Sequence, residues 1–272
     1  DSLSSLIKQV SGQSKETDET VGQYGTGFLT THYYGMKFFL YGSYQIGEDM
    51  YIDLDGFEID RSHDSIDDLI EKITRQLTKT DELLNKPYSS ECKEWTTFVY
   101  DLPVHHRNGA VEGLSAAIKQ LPYVMLFNDR MTKCQIDDNI NNVHVTFAKS
   151  PKPDENGMKV MRIDVERNGV NMPMNIYYLE SESGEERIVL PLESPTKACR
   201  LDGISKLFMH FPLLGTEDFG FEFIFHSRNF KPEEKRNGLY LPDGNENNQK
   251  EAEQNIEVLT RMQAFLFKWL SE

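Results

Sequence analysis

The feature that most restricts this chain's backbone is Gly22-Gln23-Tyr24-Gly25-Thr26-Gly27-Phe28, closely spaced glycines followed by an apolar, helix-capable run from Phe28 through Tyr34. Glycine enters the left-handed region without a steric penalty and carries no side chain, so such a segment can turn its amide N–H groups inward as a concave donor surface. A helix starting directly after it adds the positive end of its dipole. The bland reading of glycines beside a helix start is a tight turn, and the reading with chemistry is a phosphate cradle. Spacing excludes two familiar cradles. A dinucleotide fingerprint needs Gly-x-Gly-x-x-Gly after a buried strand, whereas here the order is Gly-x-x-Gly-x-Gly after the polar stretch Ser11 to Thr20. A P-loop ends in Gly-Lys-Ser/Thr, and Gly27-Phe28-Leu29 does not.

Hydrophobic periodicity organises the rest. Asp1 to Val10 carries Leu3, Leu6, Ile7 and Val10 on one helical face. Met36 to Tyr44 and Met50 to Ile59 cluster aromatic and β-branched residues around Ile46-Gly47-Glu48-Asp49, which predicts a hairpin. Ser65 to Leu84 reads as an amphipathic helix with acids early and bases later, and Trp95 to Asp101 as a strand. Strands divided by helices on one side of a mixed sheet make an α/β sandwich. From about Asn139 the texture changes to short strands, Val143–Ala148, Met158–Glu166, Asn175–Leu179, Arg187–Leu192 and Ser205–Phe211. The turn signals Pro151-Lys152-Pro153, Asn156-Gly157, Asn168-Gly169 and Ser183-Gly184 punctuate them, which predicts an antiparallel meander. Asn248 to Trp269 closes the chain as a helix with Ile256, Leu259, Met262, Phe265, Leu266 and Trp269 on a stripe. The expected class is therefore α+β, with a first domain over 1–138 and a second, strand-rich domain over 139–272.

The stretch Val21 to Thr31, VGQYGTGFLTT, resembles the ATP lid of the GHKL superfamily, the Bergerat-fold ATPases. The likeness continues downstream. Trp95 to Asp101 resembles a late sheet strand that carries a Thr near the phosphates, which Thr96 or Thr97 would supply, and Gly113 to Asp138 resembles the helix and strand that close the nucleotide domain. Phe211 to Leu241 is similar to a segment of sacsin-like and heat-shock-chaperone-type proteins. The resemblance implies a partial Bergerat-type sandwich followed by a transducer-like or middle-like domain. It also implies ATP contacts from Gly22 through Phe28 and from Thr97, and a basic side chain of the second domain, Arg228 or Arg236, returned to the terminal phosphate. A guanidinium there would offset charge that develops in phosphoryl transfer.

The superfamily's general-base Glu, its magnesium-binding Asn and its adenine-reading Asp-x-Gly-x-Gly precede the lid. Before Gly22 this sequence has no Asn and none of these motifs. The chain is thus expected to be a fragment or a degenerate member, with magnesium bound upstream and with little or no hydrolysis by these residues alone. The alternative is a non-enzymatic interaction module that keeps the fold.

Composition narrows the setting. The formal charge of −15, from 29 basic against 44 acidic residues, disfavours general nucleic-acid binding, which needs clustered Lys and Arg on phosphates. Cys92, Cys134 and Cys199 are dispersed and odd in number, against a disulfide framework and for a reducing, cytoplasmic compartment. No apolar run reaches the ~20 residues of a membrane span. The partners expected are ATP and client proteins, and a homodimer is allowed. Other chemistry is thin: His105 and His106 point to different faces and make poor joint metal ligands. Asp60, His63 and Asp64 read as capping residues, Glu217-Asp218 as a turn, and Lys206 as a lesser phosphate candidate.

Overall fold

The computed structural model describes residues 2–8, 31–242 and 246–271, and the chain divides into two compact units, Asp1–Gly113 and Leu114–Glu272. Both combine helices with largely antiparallel sheet, so the class is α+β.

In the first unit, strands β1 (Lys37–Gly47) and β2 (Met50–Asp60) form the expected hairpin, and β3 (Thr97–Tyr100) pairs antiparallel with β1, giving the order β2-β1-β3. The hairpin is asymmetric for a local reason. Gly42 adopts φ +145°, and a Cβ there would stand 3.0 Å from the Trp95 carbonyl oxygen, so only glycine lets the chain leading into β3 lie this close to β1. Helix α1 (Ser2–Lys8) and helix α2 (Ile66–Leu83) supply the remaining apolar cover: Leu3, Ile7 and Leu83 are buried with Phe38, Leu40, Ile52, Leu54 and Ile59 in one core. α2 starts as its sequence dictates, with the Ser65 side chain accepting from the Asp68 amide at 3.2 Å and Asp67 and Asp68 in the first turn. Gln76, 6% exposed on α2, fixes it to the end of β2 by accepting from the Asp60 amide and donating to the Asp60 carbonyl.

The second unit is built on a sheet ordered β13-β12-β14-β9-β8-β6-β5-β4, flanked by helices α3 (Arg107–Phe127), which runs in from the first unit, and α4 (Gln249–Ser271). Its strands are β4 (Lys133–Asp138), β5 (Val143–Glu155), β6 (Met158–Arg167), β8 (Met174–Glu180), β9 (Glu186–Val189), β12 (Leu207–Met209), β13 (Phe211–Pro212) and β14 (Ile224–Ser227). The short strand β7 (Val170–Asn171) pairs with β6, while β10 (Leu192–Ser194) and β11 (Lys197–Ala198) make a separate pair. Turns between strands use Asn156-Gly157 and Asn168-Gly169, all four residues at positive φ, as tight hairpins require. The order departs from a meander after β9, whose next neighbour is β14, and the antiparallel pattern is interrupted where β12 runs parallel to β14.

Along β8, four consecutive residues are buried and alternate between two cores: Ile176 and Tyr178 face the end of α3, Tyr177 and Leu179 face α4. The period of two thus explains why this strand reads as uniformly apolar, because the sheet is covered on both faces. The α3 side holds Tyr123, Val124, Met125, Leu126 and Phe127, and the α4 side Val258, Met262 and Leu266. β4 pairs with β5 along its length, so Lys133–Asp138 belong to this sheet, and the boundary between units lies earlier in sequence than the change of texture at Asn139.

Candidate functional site

Gly22, Gln23, Tyr24, Gly25, Thr26, Gly27 and Phe28 lie outside the described residues. The nearest described residues on either side are Lys8 and Thr31, and one buried side chain bonds both to the helix that ends at Lys8 and to the turn that starts at Thr31. Arg61, which follows β2 directly and is 2% exposed, donates from Nη2 to the Leu6 carbonyl near the end of α1 at 2.5 Å. Its Nη1 lies 2.9 Å from Nε2 of His32, in the 3-10 turn at 31–33, and its guanidinium carbon lies 5.4 Å from the Phe38 ring centre. Arginine is only a donor, so His32 accepts through Nε2 and is neutral. Burial, then the Arg61 charge, holds the His32 pKa below the ordinary histidine value. Thr97 opens β3 opposite Tyr41 and is exposed.

The other sequence candidates fall in the second unit, around the end of α3. Arg228 follows β14, and Arg236 sits in the turn where its amide donates to the Glu233 carbonyl at 2.8 Å. Asn255, fully buried on α4, braces this loop: it accepts from the Lys231 amide at 2.8 Å and donates to the carbonyls of Lys231 at 2.8 Å and Tyr240 at 2.9 Å. Arg228 and Arg236 are brought together at His210, whose pKa is lowered first by burial and then by those two charges, against the opposing hydrogen bond from its Nδ1 to the Phe127 carbonyl.

Arg228 also belongs to a cationic group whose other members sequence reasoning did not name. Asp129, in the turn after α3, has Arg187 at 3.5 Å, Arg228 at 3.6 Å and Lys149 at 3.9 Å. All three distances exceed the 2.7–2.9 Å typical of charge-assisted hydrogen bonds. Arg187 is anchored from behind by Glu180 at 2.7 Å and the Leu126 carbonyl at 2.8 Å, and Lys149 by the Asn128 carbonyl at 3.3 Å. Burial depresses the Lys149 pKa, with Asp129 opposing. His226 is the cross-strand partner of Arg187 and is 1% exposed, its ring stacked on Phe127 at 4.4 Å. Neither of its ring nitrogens has a hydrogen-bond partner among the described residues. Burial, then His210, Arg187 and Arg228, drives its pKa well down. His210 and Arg236 both hold positive φ, +61° and +54°, a conformation that non-glycine residues rarely keep without surrounding constraint.

The remaining candidates are structural. Lys206 is 3% exposed and donates to the Leu201 carbonyl at 2.8 Å, while Thr216 Oγ1 accepts from the Lys206 and Leu207 amides. Glu217 caps the same turn, accepting from the Gly215 amide and Ser205 Oγ, each at 2.7 Å. His106 stacks on Tyr33 at 4.6 Å. A cavity of about 740 Å³ between the 181–186 turn and α4 is lined by Glu182, Glu185, Glu186 and Glu257 together with Arg261 and Lys268, and Arg261 is paired with Glu186 and Glu257. Among the described residues no group of three His, Cys, Asp or Glu is placed to hold a metal ion, and no helix is long and apolar enough to cross a membrane.

The chain matches no known protein family, no curated protein and no solved structure. The arrangement itself is that of an anion site: several cations held from behind, loosely disposed toward one exposed carboxylate, over a buried imidazole. Only Arg228 and Arg236 of this group were singled out by sequence. A His following the apolar pair Ile224-Phe225 in a buried strand is the local signal that points to the rest.

Proposed function

We propose that the chain is the ATP-binding region of a GHKL-type, chaperone-like ATPase, with the Gly22 to Gly27 segment closing over the nucleotide phosphates and little or no hydrolysis by these residues alone. Arg61 carries the reading. One buried guanidinium binds the last turn of α1 and His32, so the described residues on both sides of the glycine segment are fixed to the same point. A backbone cradle needs such a base, because amides aimed at phosphate act only if their entropy of ordering is already met. The chain order supports it further: hairpin first, then a strand that opens at Thr97 and pairs with the hairpin's first strand. Arg228 and Arg236, the side chains offered for the terminal phosphate, sit in the only strongly cationic group described above.

Magnesium is expected on groups upstream of the lid. A cytoplasmic setting, client proteins as partners and a homodimer fit this reading, and the charge of −15 disfavours a nucleic-acid partner. The alternative, a non-enzymatic interaction module, is favoured by β3 and the segment leading into it, where Trp95, Phe98 and Val99 are 54%, 40% and 40% exposed at the edge of the described sheet.

Calorimetric titration with Mg-ATP, on this chain and on one extended N-terminally, tests the proposal. The extended chain should bind ATP, and Gly25→Val should weaken binding by at least about tenfold, since a side chain blocks the close approach of backbone to phosphate. Absence of binding by the extended chain selects the interaction module. Sustained hydrolysis by the present chain overturns the claim of low turnover.

A further inference from the structure

We propose that the end of α3 in the second unit is a binding site for a tetrahedral oxyanion of the phosphate class, held by Arg187, Arg228 and Lys149 with His226 as the buried hydrogen-bond donor beneath it. The site deepens the nucleotide reading, in that it gives the contact offered by Arg228 a built pocket, yet its residues other than Arg228 come from geometry alone.

Two independent observations point to a ligand. The first is the loose convergence on Asp129. Arg187, Arg228 and Lys149 stand 3.5, 3.6 and 3.9 Å from its carboxylate, which is itself 60% exposed. One carboxylate offers two oxygens to cations that together carry far more N–H donors, and it makes a short bond to none of them. A tetrahedral dianion has oxygens enough to meet all three at contact distance and twice the charge, so Asp129 behaves as an occupant that a better ligand replaces. The second is His226. A neutral imidazole always carries one N–H and one lone pair, and a group 1% exposed with neither satisfied among the described residues forfeits hydrogen bonding it would have in water. As cross-strand partner of Arg187 it lies on the face of the sheet toward Phe127 and the cations.

The field agrees in sign. In a chain of charge −15 this group places Lys149, Arg187, Arg228 and Arg236 against Asp129 and Glu180. Glu180 is already engaged by Lys159 at 2.7 Å as well as by Arg187.

Inorganic sulfate is the decisive probe, since its charge is constant across neutral pH, with inorganic phosphate as its companion. Sulfate titrated into the full chain at low ionic strength should move the ¹⁵N resonances of the His226 ring, and phosphate should compete. Arg228→Gln should weaken sulfate about tenfold without altering the unfolding midpoint, and His226→Phe, which keeps the stack on Phe127, should weaken it by a similar factor. Asp129→Asn should strengthen binding about fivefold or more, because it removes the competing carboxylate. A purely structural cluster predicts no such gain. Ring resonances indifferent to both anions, or an Asp129→Asn chain that binds no better, overturn the proposal. Gly25→Val should leave sulfate affinity within about twofold, because none of the residues assigned to the site comes from the glycine segment. Loss of ATP with sulfate retained therefore supports this site independently of the lid. ATP binding without a response at His226 removes this site and leaves the nucleotide reading standing.

Discussion

Two arginines, one in each unit, show opposite uses of the same side chain. Arg61 is 2% exposed and spends its donors on a backbone carbonyl and a neutral ring, over the face of Phe38. Arg228 is 43% exposed and has a carboxylate at 3.6 Å. A guanidinium buried this deeply is tolerated only because its aromatic and hydrogen-bonding surroundings offset its desolvation, so it serves as a staple between segments far apart in sequence. A guanidinium left half in water, with its nearest anion beyond bonding distance, has capacity left for a ligand. The contrast predicts that stability lies with the first arginine and binding with the second.

Replacing Arg61 is the strongest test. Arg61→Met keeps much of the stem's apolar contact but leaves the Leu6 carbonyl and His32 Nε2 without their donor, and it should destabilise the first unit by about 2–4 kcal/mol. Urea unfolding followed at Trp95, with Trp269→Phe in the background so that one unit reports, measures it. A loss below about 0.5 kcal/mol, the range of ordinary surface substitutions, would make Arg61 no staple at all.

That residue also marks where sequence reading ends. Strands and turns were legible because their causes are local: β-branched residues along Val143–Ala148, Asn-Gly pairs at 156–157 and 168–169, and an amphipathic run from Ser65, although the residue that caps it is Ser65 itself rather than Asp60, His63 or Asp64. Arg61 follows a strand and precedes Ser62, His63 and Asp64, which locally reads as a solvated loop. What buries it is Leu6, 55 residues earlier, and no periodicity encodes that contact. The anion site was half legible for the same reason. Arg228 and Arg236 belong to a recognisable stretch, whereas Arg187, Lys149 and Asp129 come from β9, β5 and the turn after α3 and meet only through sheet register.

His226 gives the comparison a pH axis. Its folded pKa is well below the ordinary 6.5, so below that value the unfolded chain binds a proton that the folded one refuses. Stability from this residue is therefore complete above about pH 6.5 and falls as the pH drops, by up to about 1.4 kcal/mol per unit until the folded ring titrates. His210 shifts in the same direction and adds to the slope. Urea midpoints at pH 7.5, 6.0 and 5.0, read at Trp269 with Trp95→Phe in the background, should decline in the wild-type chain and decline less in His226→Phe. Equal slopes for both would show that the ring is not buried neutral.

The smallest effect expected is the one that most sharpens the contrast. Arg228→Gln removes a half-exposed charge 3.6 Å from a carboxylate that is itself 60% exposed, a pairing worth about 0–1 kcal/mol in general and here at the low end, because both partners are solvated. Unfolding in sulfate-free buffer should shift by no more than about 0.5 kcal/mol. Sulfate changes the outcome. A ligand that binds only the folded state stabilises it by RT ln(1 + [L]/Kd), so sulfate at ten times its Kd should raise wild-type stability by about 1.4 kcal/mol and leave Arg228→Gln, with its tenfold weaker site, raised by only about 0.4 kcal/mol. Arg61→Met should show the reverse pattern, a large loss in either buffer with the sulfate increment intact. If sulfate stabilises the Arg228→Gln chain as much as the wild type, Arg228 is an ordinary surface charge and the two arginines differ only in depth.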